Sequence, residues 1–116
     1  MLWAITIKQR AALHKEALDF RKRVLPADHP DIATSMGGLA EAYGALGDHK
    51  QSAALHKEAL DFGKRVLPAD HPDIATSMNN LVNAYFELGD MHAAELHAQE
   101  AVRILYSWPL LFYQIV

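Results

Sequence analysis

The sequence predicts an all-α protein, a right-handed α-solenoid of antiparallel helical hairpins with about five helices. Two observations predict this fold. Residues 11–52 and 53–94 are two copies of one 42-residue unit, with 31 identical positions and no insertion or deletion. Within each unit the apolar residues recur at helical spacing. Repeats of roughly 20–50 residues are typical of solenoids, in which each unit buries its apolar face against its neighbours.

Each unit contains two predicted helices joined by short turns. The four predicted helices cover residues 31–46, 50–67, 73–88 and a segment that starts near 92. Ile32, Met36 and Leu39 form one apolar stripe on the first of them, and the second helix carries a similar stripe. Its opposite face is charged, with Lys57 and Asp61 at the four-residue spacing of helical ion pairs. We therefore expect that charged face to be solvated.

The helix boundaries follow from turn chemistry. The sequence Asp-His-Pro-Asp at 28–31 recurs at 70–73, and proline is tolerated in the first turn of a helix. We expect Asp28 to cap this helix, and Asp31 to place negative charge at its positive end. Gly47 and Gly89 supply the left-handed residue that ends a helix. Connections this short predict antiparallel neighbours.

The internal layout of the unit resembles the tetratricopeptide repeat (TPR). The matching residues are Met36, Leu39, Tyr43, Gly47 and Ala59, and then Met78, Leu81, Tyr85, Gly89 and Ala101. Armadillo units have a similar length but hold three helices, whereas only two breaks occur here. The 42-residue length, the Asp-His-Pro-Asp-Ile-Ala opening and Asn79-Asn80-Leu81 resemble the kinesin-light-chain subtype. The resemblance covers about residues 7–104.

Residues 1–116 are expected to form a single TPR-like domain. Its predicted parts are an orphan second helix at 7–25, hairpins at 28–67 and 70–106, and an apolar tail at 107–116. The first helix of the orphan's own hairpin is absent. Arg10 accordingly occupies the place of Ser52, where the two helices of a complete hairpin should pack closely.

The end of the chain departs from the repeat. We expect the helix to stop or kink at Tyr106-Ser107-Trp108-Pro109. Three interpretations of the apolar tail stay open. It folds back over the last hairpin, it joins two chains end to end, or the chain is an excerpt or shifted reading frame of a longer array.

Composition excludes several classes of function. Eleven basic residues are scattered among 14 acidic ones, and the net charge is −3, so no dense basic stripe is available for nucleic acid. The chain has no cysteine, which excludes disulfides and thiolate metal sites. The first ten residues lack the basic start of a signal peptide, and the apolar runs are too short to span a bilayer. We expect a cytoplasmic, soluble protein that does not bind membranes.

Neither a catalytic nor a metal-binding arrangement is recognisable. His29 and His71 belong to the helix-start motif, where we expect them to order the loop. His92 and His97 are five apart, which does not place them on one face as a zinc pair requires. Ser35 recurs as Ser77 without a His–Asp pair in any known order. The sequence therefore predicts no enzyme activity, no cofactor and no metal.

The resemblance implies that the first helices of successive hairpins line a concave, peptide-binding groove. The residues placed there are Thr34, Gly37, Gly38, Glu41 and Gly44, and then Thr76, Asn79, Asn80, Asn83, Phe86 and Glu87. The two copies differ at positions 37, 38, 41, 44 and 45, all on or beside this face. Asn79 and Asn83 share a helix face, and their amides can hydrogen-bond a peptide backbone. Asn80 is expected to lie nearer the helix seam.

The inferred groove carries no lysine or arginine, and Glu41 and Glu87 supply its charge. The sequence thus predicts a protein-interaction scaffold that recognises a neutral or basic segment of a partner. The alternative is a structural spacer or self-assembly element of a longer array, with no dedicated ligand. That element would associate through its open helical ends and apolar tail.

Overall fold

The structure, a computed structural model, describes the backbone of residues 2–115 and the side chains of residues 6–104 and of Tyr106. In this part of the chain there are five helices and no strand. They are α1 (Leu2–Val24), α2 (Pro30–Ala45), α3 (His49–Val66), α4 (Pro72–Leu88) and α5 (Met91–Ile115). The predicted all-α solenoid is confirmed. Helices α2, α3 and α4 begin and end within about one residue of their predicted bounds, whereas α1 begins at Leu2 and not near residue 7.

Each helix packs against the next helix along the chain. Two apolar clusters result, and α3 contributes to both. One cluster joins α1, α2 and α3 through Leu18, Ile32, Met36, Leu39, Ala59 and Phe62. The other joins α3, α4 and α5 through Ala53, Leu60, Ile74, Ala75, Met78, Leu81, Ala84, Ala101 and Ile104. Burial of these side chains on two faces of α3 makes it the centre of the core.

Histidines cap the first helix of each repeat. His29 Nδ1 accepts a hydrogen bond from the backbone N–H of Asp31 at 3.1 Å, and His71 does the same for Asp73 at 3.1 Å. The expectation that Asp28 is the cap is wrong. The helix starts at Pro30, so the residue directly before it, His29, has the extended backbone and the reach of a cap.

The ends of α2 and α4 follow the prediction. Gly47 and Gly89 adopt φ values of 84° and 83°, the left-handed region that glycine enters at little cost. The chain then turns straight into the next helix, where Asp48 accepts a hydrogen bond from the N–H of Gln51 at 3.1 Å. Such tight turns position the two helices of a hairpin side by side.

Helix α5 continues across the predicted break. It runs to Ile115, so the expected stop at Tyr106-Ser107-Trp108-Pro109 is wrong, and the alternative of a kink there stays a prediction. A proline removes one backbone donor, and the following Leu110 and Leu111 are strong helix formers that favour continuation. The side chains of residues 107–116 lie outside the described residues, and the three interpretations of the tail stay predictions.

Candidate functional site

A cleft of about 410 Å³ lies between α2 and α4, with α3 as its floor. We refer to it as the central cleft. Its lining residues are Glu41, Gly44, His49, Ser52, His56, Asn80, Asn83, Ala84 and Glu87. Both repeats contribute to it, so the cleft exists only where one hairpin stacks on the next.

Five residues that the sequence placed in the groove meet in this cleft: Glu41, Gly44, Asn80, Asn83 and Glu87. Those on α4 follow one another at intervals of three and four residues, which is one stripe of a helix. This stripe, continued by Thr76, is the face of α4 that points toward α2.

Asn79 and Phe86 are not among the residues that line the central cleft. Both side chains are exposed on α4. The repeat explains their position, because Asn79 is the counterpart of Gly37, and Gly37 lies on the side of α2 that faces α4. The same side of α4 therefore points away from α2. Asn80, which the sequence placed nearer the seam, is instead half-buried in the cleft.

The floor of the cleft carries two histidines that the sequence analysis did not place in the groove. His49 Nε2 lies 4.0 Å from Glu87 Oε2 and so bridges α3 and α4. His56 is buried, with 7% of its surface exposed. Burial lowers the pKa of His56, and the negative charge of Glu41 opposes that shift. His49, Ser52 and His56 are three and four residues apart, which places them on one face of α3. This spacing is the feature of the sequence that could have identified the two histidines as cleft residues.

The polar side chains that line the walls of the cleft are carboxylates, which accept hydrogen bonds, and amides, which both donate and accept them. Glu41 and Glu87 are carboxylates, Asn80 and Asn83 both donate and accept, and no lysine or arginine lines the cleft. Such a lining favours a cationic side chain or the uncharged N–H and C=O groups of a peptide backbone. It disfavours a carboxylate, which would meet two like charges.

A more apolar cavity of about 290 Å³ adjoins the cleft between the same three helices. Thr34, Thr76 and Asn80 lie on its wall together with Gly37, Phe62, Gly63, Val66 and Leu67. No side chain fills the space beside Gly37, since a Cβ there would have no neighbour within 4 Å. Asn80 thus belongs to both the cavity and the central cleft.

The counterpart of the central cleft between α1 and α2 is smaller, about 140 Å³. Gly38 takes the place of Asn80 there, and a Cβ at Gly38 would lie 3.0 Å from the His14 ring. The glycine therefore accommodates His14 against α2. This contact gives Gly38 a packing role beside α1.

Among the described residues, no group of three His, Cys, Asp or Glu side chains could hold a metal ion. The Ser35 hydroxyl accepts a hydrogen bond from Arg21 at 2.9 Å, which links α1 to α2. None of the helices, over the residues described, is long and apolar enough to cross a membrane.

Comparison with known proteins agrees with the hairpin geometry. The tetratricopeptide repeat family matches this chain at residues 11–65 and again at 74–105. Similar solved structures include the nearly identical TPR-like repeats of a Podosopora anserina protein described as a kinesin light chain. They share 23% identity over 84% of this chain and 46% of theirs, with a TM-score of 0.78.

BtubC (BKLC) from P. vanneervenii is also similar, at a TM-score of 0.81 and 21% identity, over 89% of this chain and 41% of its own. The chain spans less than half the length of these structures. No curated protein matches it.

Proposed function

We propose, because the chain belongs to the tetratricopeptide repeat family, that it is a non-catalytic cytoplasmic scaffold. Members of this family generally mediate protein–protein interaction. The proposed scaffold binds a peptide segment of a partner protein in the central cleft. The observation that carries this proposal is the meeting of Glu41, Asn80, Asn83 and Glu87 between two stacked hairpins. Two packed helices, α2 and α4, carry these side chains above the floor formed by α3, so the site is largely formed before a ligand arrives.

The bound segment is neutral or basic. Glu41 and Glu87 stand on opposite walls of the cleft, one on α2 and the other on α4. A lysine or arginine side chain between them would interact with both carboxylates. His49 Nε2 lies 4.0 Å from the Glu87 carboxylate, at the floor of the cleft.

The two amides on α4 provide the contacts to the peptide backbone. Asn80 is half-buried and Asn83 is exposed at the rim. An extended segment that lies along α4 would donate to and accept from both side chains. Hydrogen bonds of this kind contribute about 1 kcal/mol each, so recognition by these groups alone is weak and depends on several contacts.

The test starts from a phage-displayed library of random 12-residue peptides selected on the intact chain. The enriched peptides are expected to carry lysine or arginine and to lack acidic residues. Their affinity for Asn80→Ala/Asn83→Ala should fall about tenfold, as expected for the loss of roughly 1.4 kcal/mol. Glu41→Gln/Glu87→Gln should weaken basic peptides and remove the salt dependence of their binding.

Asn79→Ala is the matched control, since Asn79 is the same residue type, adjacent in sequence and outside the cleft. Its affinity for the selected peptides should equal that of the unaltered chain. Peptides that bind the Asn80/Asn83 double variant as tightly as the unaltered chain, or that are uniformly acidic, would contradict the proposal.

A structural spacer is the second candidate, and exposed apolar side chains at the last hairpin favour it. Val102 on α5 is 49% exposed, whereas its repeat counterpart Leu60 is 1% exposed beneath α4. Stacking through this end grows with protein concentration and does not depend on Asn80 or Asn83. A mass that rises with concentration, combined with a failure of the library to enrich any peptide, supports the spacer over the scaffold.

A further inference from the structure

The cavity of about 290 Å³ beside the central cleft, which we call the side cavity, opens at positions where the two repeat copies differ. Gly37 on α2 and Gly63 on α3 both lie on its wall. Their repeat counterparts are Asn79 and Arg21, so each glycine stands where the other copy carries a polar side chain. The absence of a side chain at Gly63 thus coincides with an open space between α3 and α4.

Arg21 shows which chemical group the corresponding place between α1 and α2 holds. Its Nη1 atom donates a 2.9 Å hydrogen bond to the Ser35 hydroxyl and one of 3.1 Å to the Asp31 carbonyl. The α4 counterparts of these two acceptors are Ser77 and Asp73, and both line the side cavity. The residues that hold a guanidinium against α2 therefore recur on α4 beside an open space.

The rest of the side cavity also suits an arginine side chain. Phe62, Val66 and Leu67 form an apolar wall, against which the methylene groups of an arginine can pack. Asp73 adds a carboxylate, and no lysine or arginine is among the described residues that line the side cavity. His56 also lines it, and burial lowers the pKa of this histidine and so favours its neutral form. A guanidinium that enters meets no like charge among the lining residues.

We propose that the side cavity binds an arginine side chain of the partner segment, with the Ser77 hydroxyl and the Asp73 carbonyl as its hydrogen-bond acceptors. This inference rests on the proposed function and adds arginine as a determinant of recognition. Asn80 and His56 line both the side cavity and the central cleft, so a segment that crosses Asn80 can contact the cleft while its arginine enters the side cavity. Lysine fits less well, because an ammonium is more strongly hydrated than a guanidinium and costs more to desolvate.

Replacement of arginine by lysine in the peptides enriched on the intact chain tests the side cavity. Each arginine is replaced in turn, and the affinity is measured by fluorescence anisotropy. One position should lose about tenfold in affinity, as expected when hydrogen bonds to a charged group are lost. Gly63→Arg in the protein fills the space with the chain's own guanidinium and should remove the preference for arginine. Ser77→Ala, which removes one acceptor, should reduce that preference.

Ser35→Ala is the matched control, because Ser35 is the identical residue of the other copy and does not line the side cavity. It should leave the preference for arginine unchanged. Enriched peptides without arginine, or with lysine tolerated at every arginine position, would overturn the proposal. So would a preference for arginine that survives both Gly63→Arg and Ser77→Ala.

A second measurement does not depend on peptide binding in the central cleft. N-acetyl-arginine amide is titrated into the isotope-labelled chain and followed by heteronuclear NMR, with N-acetyl-lysine amide as the control probe. The arginine probe should shift the amide resonances of Ser77 and Asp73 more than the lysine probe does, and Gly63→Arg should abolish this difference.

The two measurements separate failure of the side cavity from failure of the proposed function. Arginine-specific shifts without any enriched peptide would support the side cavity and count against the cleft as a peptide site. Enriched peptides that depend on Asn80 and Asn83, without a preference for arginine and without arginine-specific shifts, would overturn the side cavity alone.

Discussion

The Arg21 guanidinium donates a 2.9 Å hydrogen bond to the Ser35 hydroxyl, and a second bond of 3.1 Å to the carbonyl of Asp31. These contacts join α1 to the first turns of α2. In the next unit Gly63 stands in place of Arg21, while the acceptor counterparts Ser77 and Asp73 are retained. The packing of α3 against α4, which we call the second junction, therefore has the acceptors of this contact but lacks its donor.

Gly63→Arg is expected to stabilise the protein. A Cβ at Gly63 would make ordinary 3.8 Å contacts with Ile74 and Leu67, and the new guanidinium can reach the groups that correspond to the partners of Arg21. Replacement of a helical glycine contributes about 1 kcal/mol by itself. Urea unfolding of Gly63→Ala isolates that part, and the difference between the Arg and Ala variants measures the hydrogen bonds. An Arg variant less stable than the Ala variant would show that the second junction cannot hold the guanidinium.

Phe62→Ala and Phe20→Ala should differ sharply although the two residues are repeat counterparts. Phe62 is buried between α2 and α3, and its truncation should cost about 3 kcal/mol or more. Phe20 is more than half exposed, so its truncation should cost well under about 1.5 kcal/mol. Thermal or urea unfolding compares the pair directly. Equal losses of unfolding free energy for the two variants would mean that Phe20 is buried in solution.

His56 should make stability depend on pH. Burial lowers its pKa in the folded state below the ordinary histidine value of 6.5, so the unfolded chain takes up the proton first as pH falls. The free energy of unfolding is then unaffected by His56 well above pH 6.5. It decreases as pH drops from about 6.5 toward the lowered pKa.

Unfolding by urea at several pH values between neutral and mildly acidic measures the effect of His56. His56→Gln should flatten the decrease in stability. His92→Gln, at an exposed histidine on α5, should leave it in place. A pH profile of His56→Gln that coincides with that of the unaltered chain would refute the assignment.

The histidine caps should be replaceable by ordinary capping residues. His71→Ala removes the acceptor of the 3.1 Å hydrogen bond from the Asp73 N–H and should cost about 1 kcal/mol. His71→Ser should recover most of that loss, because a serine hydroxyl at the same position reaches the same N–H. The free energy of unfolding of both variants is the measurement. Similar losses for alanine and serine would mean that His71 acts through its ring packing instead.

Local chemistry made most of the fold predictable. The helical spacing of Ile32, Met36 and Leu39 and the turns at Gly47 and Gly89 act between residues close in sequence, so the bounds of α2, α3 and α4 were accurate to about one residue. The errors were also local. Asp28 was one residue too early for the cap, and the Ser-Trp-Pro segment did not end α5.

The central cleft was predictable only in part. The resemblance to the tetratricopeptide repeat implied that α4 lines a groove, but it did not decide which of two adjacent faces of α4 meets α2. That choice depends on the angle at which hairpins stack, which local spacing does not contain. Hence Asn80 lines the cleft, Asn79 does not, and His56 on the floor was missed.

The 42-residue repeat, its two helices per unit and its turns follow from the amino-acid order, because they depend on neighbours along the chain. The different roles of identical residues do not. Phe20 and Phe62 share their residue type and local sequence, yet one is exposed and the other is in the core. The tertiary structure decided this, because burial is a property of what packs on a side chain: Phe62 lies in the cluster that α3 forms with α2, whereas the α1 residue buried against α2 is Leu18 and not Phe20.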